Sequence, residues 1–188
     1  MNVPNILTVS RIFLTLIFAM VTQASGVAAA WAALALFMAA ALTDLADGYI
    51  ARKYNLVTVF GQIMDPIADK LLILTAFFIF SFEGMMAVWM VVVVACREIL
   101  VTVVRIYALT TGRVLPAESA GKWKSALQMT AASLALTFRL GVAGGPFAAY
   151  AREYHDTCQT AVSLVMFAAI ALTLASGLVF FKNVFKRD

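Results

Sequence analysis

Long apolar runs separated by short polar segments constrain this chain more than any other feature. Of its 188 residues, 63% are hydrophobic and only 13% are charged, and the mean hydropathy is +0.94. A helix needs about 20 apolar residues to cross a bilayer, and a backbone in lipid must satisfy its own hydrogen bonds. The sequence therefore predicts an all-α integral membrane protein, a bundle of about six transmembrane helices in which residues 1–188 form one domain.

Polar breaks divide the apolar sequence into six predicted helices. Glycine, proline and clusters of polar residues place these helices at about 6–23, 28 to near 52, 61–82, 85–110, 121–140 and 158–181. Residues 141–156, which contain Pro146 and glycines, are predicted to be a connection without a helix of their own.

Basic residues are concentrated on one side of this predicted bundle. Only Arg139 and Arg152 fall on the opposite side, whereas the segments assigned to the cytoplasm contain Arg52, Lys53, Arg113, Lys122, Lys124, Lys182, Lys186 and Arg187. The positive-inside rule then predicts a multi-pass protein of the cell (inner) membrane with both termini in the cytoplasm. The N-terminus lacks the basic region of a signal peptide, so the first helix is expected to stay in the mature protein.

The charge and cysteine content narrows the choice of partners. The net charge of +4 comes from residues at helix ends, which favours anionic lipid and phosphate as partners and gives no indication of a nucleic-acid surface. Cys96 and Cys158 lie in apolar segments without the spacing of metal ligands, and we interpret them as packing residues. His155 lies in a polar loop, where it is expected to be solvated.

Four aspartates interrupt the second and third apolar runs. Asp44 and Asp47 are three residues apart and Asp65 and Asp69 are four apart, so each pair lies on one face of its helix. At about 2.5–3.5 kcal/mol for each carboxylate in a membrane, the four together cost about 10 kcal/mol or more. The two basic residues nearby cannot neutralise all four, whereas one or two divalent cations can. The pattern favours a metal site over an ion-transport path.

The same stretch carries a longer motif. Residues 44–69 read Asp-x-x-Asp-Gly-x-x-Ala-Arg, then eight residues, then Gly-x-x-x-Asp-x-x-x-Asp. This closely resembles the signature of the CDP-alcohol phosphotransferases, and every fixed position is present. In that family a substituted phosphate moves from a CDP-linked donor to an alcohol, and CMP leaves. The resemblance therefore implies a membrane enzyme whose polar, metal-binding cavity is open to the cytoplasm.

The resemblance also implies roles for individual residues. Two Mg²⁺ or Mn²⁺ ions would be bound by Asp44, Asp47, Asp65 and Asp69, and Asp69 would also act as the base on the acceptor hydroxyl. CDP-diacylglycerol would be bound by Asn5, Thr8, Asp47, Gly48, Ala51, Arg52 and Gly61. The residue types suit these roles, because glycines allow a nucleotide to lie against the backbone and the guanidinium of Arg52 offers planar donors to a phosphate.

Segments outside the motif bear on the acceptor alcohol. Residues 97–100, Arg105, 121–128 and the opening 2–8 look like parts of bacterial phosphatidylglycerophosphate synthases, so that the resemblance covers most of about the first 130 residues. Ser125 stands where that family more often has threonine. The implied acceptor is sn-glycerol 3-phosphate, a dianion that would be held by Arg97, Arg105, Lys122 and Lys124. Arg97 and Arg105 are eight residues apart, about two helical turns, so both can face one cavity.

Several alternatives stay open at this point. Another acceptor of the same family, such as phosphatidylglycerol, serine or inositol phosphate, would use the same aspartates. A membrane prenyltransferase or a divalent-cation carrier would also need acidic residues in a membrane. Arg97 with Glu98 could be a structural ion pair, Arg105 a snorkelling side chain, and Lys122 and Lys124 interfacial anchors. The family resemblance further implies contact with bilayer lipid and a homodimer.

Overall fold

The computed structural model describes residues 3–54, 58–111 and 119–185, without the side chains of residues 3, 4, 45–52, 59, 60, 62, 109, 119–122 and 185. Every regular element in the described part of the chain is a helix. The helices are α1 (Val3–Val21), α2 (Val27–Lys53), α3 (Val59–Phe82), α4 (Val88–Thr110), α5 (Ser119–Val142), α6 (Ala148–Glu153) and α7 (His155–Phe185). The predicted all-α class is therefore confirmed.

The long helices lie where the apolar runs predicted them, but one element was missed. Residues 141–156 were expected to lack a helix, and they contain the short α6. The prediction was wrong here because the glycines and Pro146 occupy only the start of the segment, and an Ala-Ala-Tyr-Ala-Arg-Glu sequence that favours a helix follows them. Gly144 makes the turn before α6 with a φ of +103°, which an L side chain rarely adopts.

Two helices in the described residues are long and apolar enough to cross a membrane by length and composition. These candidate spans are Val27–Asp44 in α2 and His155–Val184 in α7, and a shorter apolar stretch covers Asn5–Val21 in α1. Helices α3 and α4 each contain three charged residues, which lower their hydropathy. The charged side chains of α3 and α4 therefore weaken the hydropathy signal of a membrane span. The count of six spans stays a prediction.

Small and aromatic residues alternate in the core of the bundle. Helix α1 packs against α2 and α3, and α5 packs against α7 and α2. On α2, Ala30, Ala33, Phe37 and Ala40 are buried at helical spacing, and the ring of Phe37 lies 5.8 Å from that of Phe18. Small residues let helix backbones approach closely, which is how helices associate where lipid removes the hydrophobic driving force.

A basic residue joins three helices at the end of the bundle away from the aspartates. Arg139 near the end of α5 donates from Nη2 to the carbonyl of Thr22 after α1 (2.5 Å), and its Nε lies 3.2 Å from the carboxylate of Glu83 after α3. Burial raises the pKa of Glu83 above its ordinary value, while the Arg139 guanidinium lowers it to a smaller extent. The ion pair therefore only partly offsets the cost of burying this carboxylate.

Arg139→Ala is expected to lower the free energy of unfolding by about 1–3 kcal/mol, because it leaves the Thr22 carbonyl without its donor. Glu83→Gln should cost much less, because it removes a half-buried charge and keeps a polar group of the same shape. Unfolding of the purified protein in detergent, followed by intrinsic fluorescence, measures both changes.

The pH dependence provides the matching check. Since the pKa of Glu83 is raised in the folded state, the folded protein binds this proton more tightly than the unfolded chain does. The contribution of Glu83 to stability must then fall as the pH rises from its ordinary pKa of 4.5 through the raised value. Glu83→Gln should remove that part of the pH profile. An equal loss of stability for both variants at neutral pH would show that the ion pair outweighs burial.

Candidate active site

One cavity brings together the aspartates of the motif and the basic residues predicted to bind the acceptor phosphate. It has a volume of about 670 Å³ and is lined by residues of α2, α3, α4, α5 and α7. Its charged lining residues are Asp44, Asp65, Asp69, Lys70, Arg97, Glu98, Arg105 and Lys124. Three predicted metal ligands and three predicted phosphate ligands therefore share a single space.

Helix α1 supplies the partners of two of the aspartates. The hydroxyl of Thr8 donates to Oδ1 of Asp65 on α3 (2.5 Å). Arg11 is fully buried, and its Nη1 lies 2.7 Å from Oδ1 of Asp44 on α2. Thr8 was predicted to be a donor-lipid ligand, and Arg11, which interrupts the first apolar run, could be expected to face either the substrate phosphate or the membrane interface. In the fold these two side chains hold the carboxylate edges of α2 and α3 beside α1.

The start of α3 is fixed by a second group of contacts to α1. Thr58 caps the helix, since its hydroxyl accepts from the backbone N–H of Gly61 (3.0 Å) and donates to Oδ1 of Asn5 (2.8 Å). A Cβ atom at Gly61 would lie 3.2 Å from the Thr58 hydroxyl and 3.3 Å from the Asn5 amide oxygen. Glycine at this position therefore lets the N-terminal segment pack against α3. Contact of Gly61 with a nucleotide stays a prediction.

The buried carboxylate of Glu98 lies among the cations, although Glu98 was not predicted to be part of the site. Glu98 is 1% exposed, and its carboxylate lies 2.5 Å from Nζ of Lys124, 3.2 Å from Nη1 of Arg97 and 3.7 Å from Nζ of Lys70. Lys70 also donates to Oδ2 of Asp69 at 2.8 Å. A continuous chain of opposite charges thus runs from the predicted base to the predicted phosphate ligands.

Two sequence signals pointed to this chain of charges without resolving it. Lys70 directly follows Asp69, and Glu98 directly follows Arg97 in an otherwise apolar helix. A charge in an apolar helix needs a partner, but the sequence does not say which helix supplies it. Lys124 was open to interpretation as an interfacial anchor, and it is instead 3% exposed and paired with Glu98.

The two arginines of α4 both line the cavity and both contact α7. Nη2 of Arg97 donates to the hydroxyl of Ser176 at 2.9 Å. The guanidinium carbon of Arg105 lies 6.0 Å from the centre of the Phe180 ring, within the range of a cation–π contact. The side chains of the remaining predicted ligands fall outside the described residues, namely Asp47, Gly48, Ala51, Arg52 and Lys122.

The donor types fit a hard divalent cation, although the described side chains do not form a finished site. Asp44, Asp65 and Asp69 line the same cavity, and carboxylate oxygens are the ligands that Mg²⁺ and Mn²⁺ take. Among the side chains that can be described, no three of the types His, Cys, Asp or Glu converge on one point. The metal set that includes Asp47 therefore stays a prediction.

Comparison with known proteins identifies the family. The family model described as CDP-alcohol phosphatidyltransferase matches residues 1–184. The chain belongs to this family. A CDP-diacylglycerol–glycerol-3-phosphate 3-phosphatidyltransferase of Bacillus subtilis is 36% identical over 97% of this chain and 94% of its own length. A probable phosphatidylglycerophosphate synthase of Mycobacterium tuberculosis is 36% identical over 94% of this chain and 78% of its own length.

A relative with a different name matches a smaller share of the chain. A CMP-forming cardiolipin synthase of rice is 35% identical over 74% of this chain and 46% of its own length. The family and these relatives make the chain a CDP-alcohol phosphatidyltransferase, an enzyme of phospholipid biosynthesis, as the aspartate motif predicted.

Glu98→Gln is expected to destabilise this CDP-alcohol phosphatidyltransferase by roughly 3–5 kcal/mol, because it leaves neighbouring buried cations without their counter-charge. Lys124→Met in the same chain should recover part of that loss, since it removes the cation closest to Glu98. Unfolding of the two single variants and the double variant in detergent measures the coupling energy between the two side chains. Losses that simply add would contradict a direct interaction between the two side chains.

Proposed function

We propose that this protein transfers the phosphatidyl group of CDP-diacylglycerol to sn-glycerol 3-phosphate, and that phosphatidylglycerol phosphate and CMP are the products. The observation that carries this proposal is the single cavity in which acidic side chains for a metal-assisted transfer face cations for a phosphorylated acceptor. The Bacillus subtilis relative is named for the same reaction, which supports the proposal.

The chemistry at the donor end follows from the carboxylates. The primary hydroxyl of the acceptor attacks the β-phosphorus, a new phosphorus–oxygen bond forms, and the bond to CMP breaks. Asp69 takes the proton of the attacking hydroxyl. Lys70 donates to Oδ2 of Asp69 at 2.8 Å and so orients the Asp69 carboxylate. Two Mg²⁺ or Mn²⁺ ions, held by Asp44, Asp47, Asp65 and Asp69, would neutralise the charge of the pyrophosphate.

The chemistry at the acceptor end follows from the cations. Arg97, Arg105 and Lys124, together with Lys122, bind the phosphate of the acceptor, and arginine can do so through two parallel hydrogen bonds. Three of these four line the cavity in the described part of the chain. This much positive charge favours a phosphorylated acceptor over serine, whose ammonium group would be repelled. Glu98 lies among Lys70, Arg97 and Lys124 and offsets the repulsion between them when no phosphate is bound.

The setting of the reaction is proposed from the apolar surface and the charge distribution. Large apolar side chains are exposed on the outward faces of the helices, among them Phe13, Met20, Trp89 and Leu178. Six spans in the cell (inner) membrane would keep the acyl chains of the donor in lipid, with the cavity facing the cytoplasm. A homodimer is carried over from the family as part of the proposal.

Release of CMP from CDP-diacylglycerol by the purified protein in detergent with Mg²⁺ tests the reaction. Glycerol 3-phosphate, serine, inositol phosphate and phosphatidylglycerol are offered separately. We expect release with glycerol 3-phosphate alone, and loss of release when a chelator removes the metal. Release with another acceptor would keep the aspartate chemistry and contradict the acceptor. No release with any of them would contradict the proposed transfer from CDP-diacylglycerol and would favour the prenyltransferase or carrier hypothesis.

Asp69→Asn is expected to lower kcat by about 10²–10⁴-fold, the usual contribution of a general base. Asp156→Asn is the matched control, since Asp156 is an exposed aspartate in the first turn of α7. Initial rates of CMP release at saturating substrates give kcat for both variants. An Asp69→Asn variant with full turnover would show that the base is another group.

Arg97→Ala and Arg105→Ala are each expected to raise KM for glycerol 3-phosphate by about 10–100-fold, because a hydrogen bond to a charged group is worth about 1.5–3 kcal/mol. KM for CDP-diacylglycerol should change little. Arg152→Ala, at an exposed position of α6, is the control for loss of a basic residue. Unchanged KM values in both cavity variants would contradict the phosphate pocket.

A further inference from the structure

Helix α7 makes specific contacts with both arginines of α4, although none of the predicted site residues lies in it. Ser176 is 3% exposed and its hydroxyl donates to the backbone carbonyl of Thr173 at 2.9 Å. A lone pair of that hydroxyl is then left for the guanidinium of Arg97, which donates to it at 2.9 Å. The serine is thereby locked as an acceptor that faces Arg97.

The next residue provides the space in which Arg97 lies. A Cβ atom at Gly177 would lie 2.8 Å from Nε of Arg97, which is closer than real Cβ contacts, and 3.1 Å from its Cγ, which is tighter than most of them. Glycine inside a helix costs about 0.5–1 kcal/mol relative to alanine, and Gly177 lies in the interior of α7. The close approach of Arg97 gives a physical reason for glycine at a position where helix propensity alone would favour alanine.

One further turn along, α7 contacts the second arginine. Phe180 is four residues after Ser176 and therefore lies on the same face of the helix. Its ring centre is 6.0 Å from the guanidinium carbon of Arg105. Both Ser176 and Phe180 line the cavity, so a single face of α7 contacts the two cations that project from α4.

We propose that the segment Ser176–Phe180 of α7 positions the acceptor's phosphate ligands, with Ser176 and Gly177 fixing the guanidinium of Arg97 and Phe180 supporting that of Arg105. This inference rests on the proposed function, because it names the part of the fold that prepares the same pocket for glycerol 3-phosphate. These three are positioning residues that act through the arginines.

The energetic reason is the freedom of a long basic side chain. Arginine loses about 2 kcal/mol of rotamer entropy when it is fixed, and a pocket that has already fixed it avoids that loss when the ligand binds. Loss of the α7 contacts should therefore appear in the affinity for the acceptor, whereas the donor site and the chemical step are left largely intact.

Gly177→Ala and Ser176→Ala test the proposal by steady-state kinetics of CMP release. Each is expected to raise KM for glycerol 3-phosphate about 5–10-fold, which corresponds to about 1–1.4 kcal/mol, with kcat and KM for CDP-diacylglycerol within about twofold of wild type. Ala175→Ser is the matched control, because it adds one heavy atom at an exposed position of the same turn. Since Ser176→Ala adds no atom, it keeps the test valid if Gly177→Ala fails to fold.

A double-mutant cycle separates positioning from packing. In an Arg97→Ala background, Gly177→Ala and Ser176→Ala should cause no further loss of kcat/KM for glycerol 3-phosphate. This kcat/KM stays measurable with labelled acceptor at concentrations below saturation. A purely structural role predicts equal losses in both backgrounds. That result, or an unchanged KM in both single variants, would overturn the inference. Absence of glycerol 3-phosphate-dependent CMP release in wild type would instead overturn the proposed function, and the inference with it.

Discussion

Neutralisation of buried charge is the constraint on which the rest of this structure depends. Ions inside an apolar bundle are tolerated only when each has a partner. Asp44 meets Arg11, and a chain of alternating charges leads from Asp69 through Lys70 and Glu98 to Lys124. These pairs join α1 to α2 and α3 to α4 and α5. The positions of five helices are therefore tied to electrostatics as much as to apolar packing.

The same constraint gives the cavity its chemical asymmetry. Carboxylates of α2 and α3 and cations of α4 and α5 line it, and Lys70 and Glu98 link the two sets. Carboxylate oxygens are the ligands that hard divalent cations take, whereas guanidinium and ammonium groups bind anions. The cavity therefore offers two kinds of binding chemistry within one space.

The sequence predicted the long helices and the family well, because apolar runs and the aspartate motif are local patterns. Arg97 and Arg105 could be placed on one helical face from their spacing alone. The pairing of Thr8 with Asp65 could not, since 57 residues separate them and only the packing of α1 on α3 brings them together. The place of Glu98 in the site was missed for the same reason, because its closest partner, Lys124, lies on another helix. The short α6 was missed because glycine and proline dominated the local signal.

The place of α7 after the other cavity helices in the sequence has a consequence for the order in which the pocket can form. The cavity is walled by α2, α3, α4, α5 and α7, and the α7 part of the wall is contributed by Ser176 and Phe180. A nascent chain that has inserted only its first five long helices already holds the aspartates and the arginines, but it lacks this wall. The pocket can therefore close around the arginines only after α7 has been made and has packed against α4.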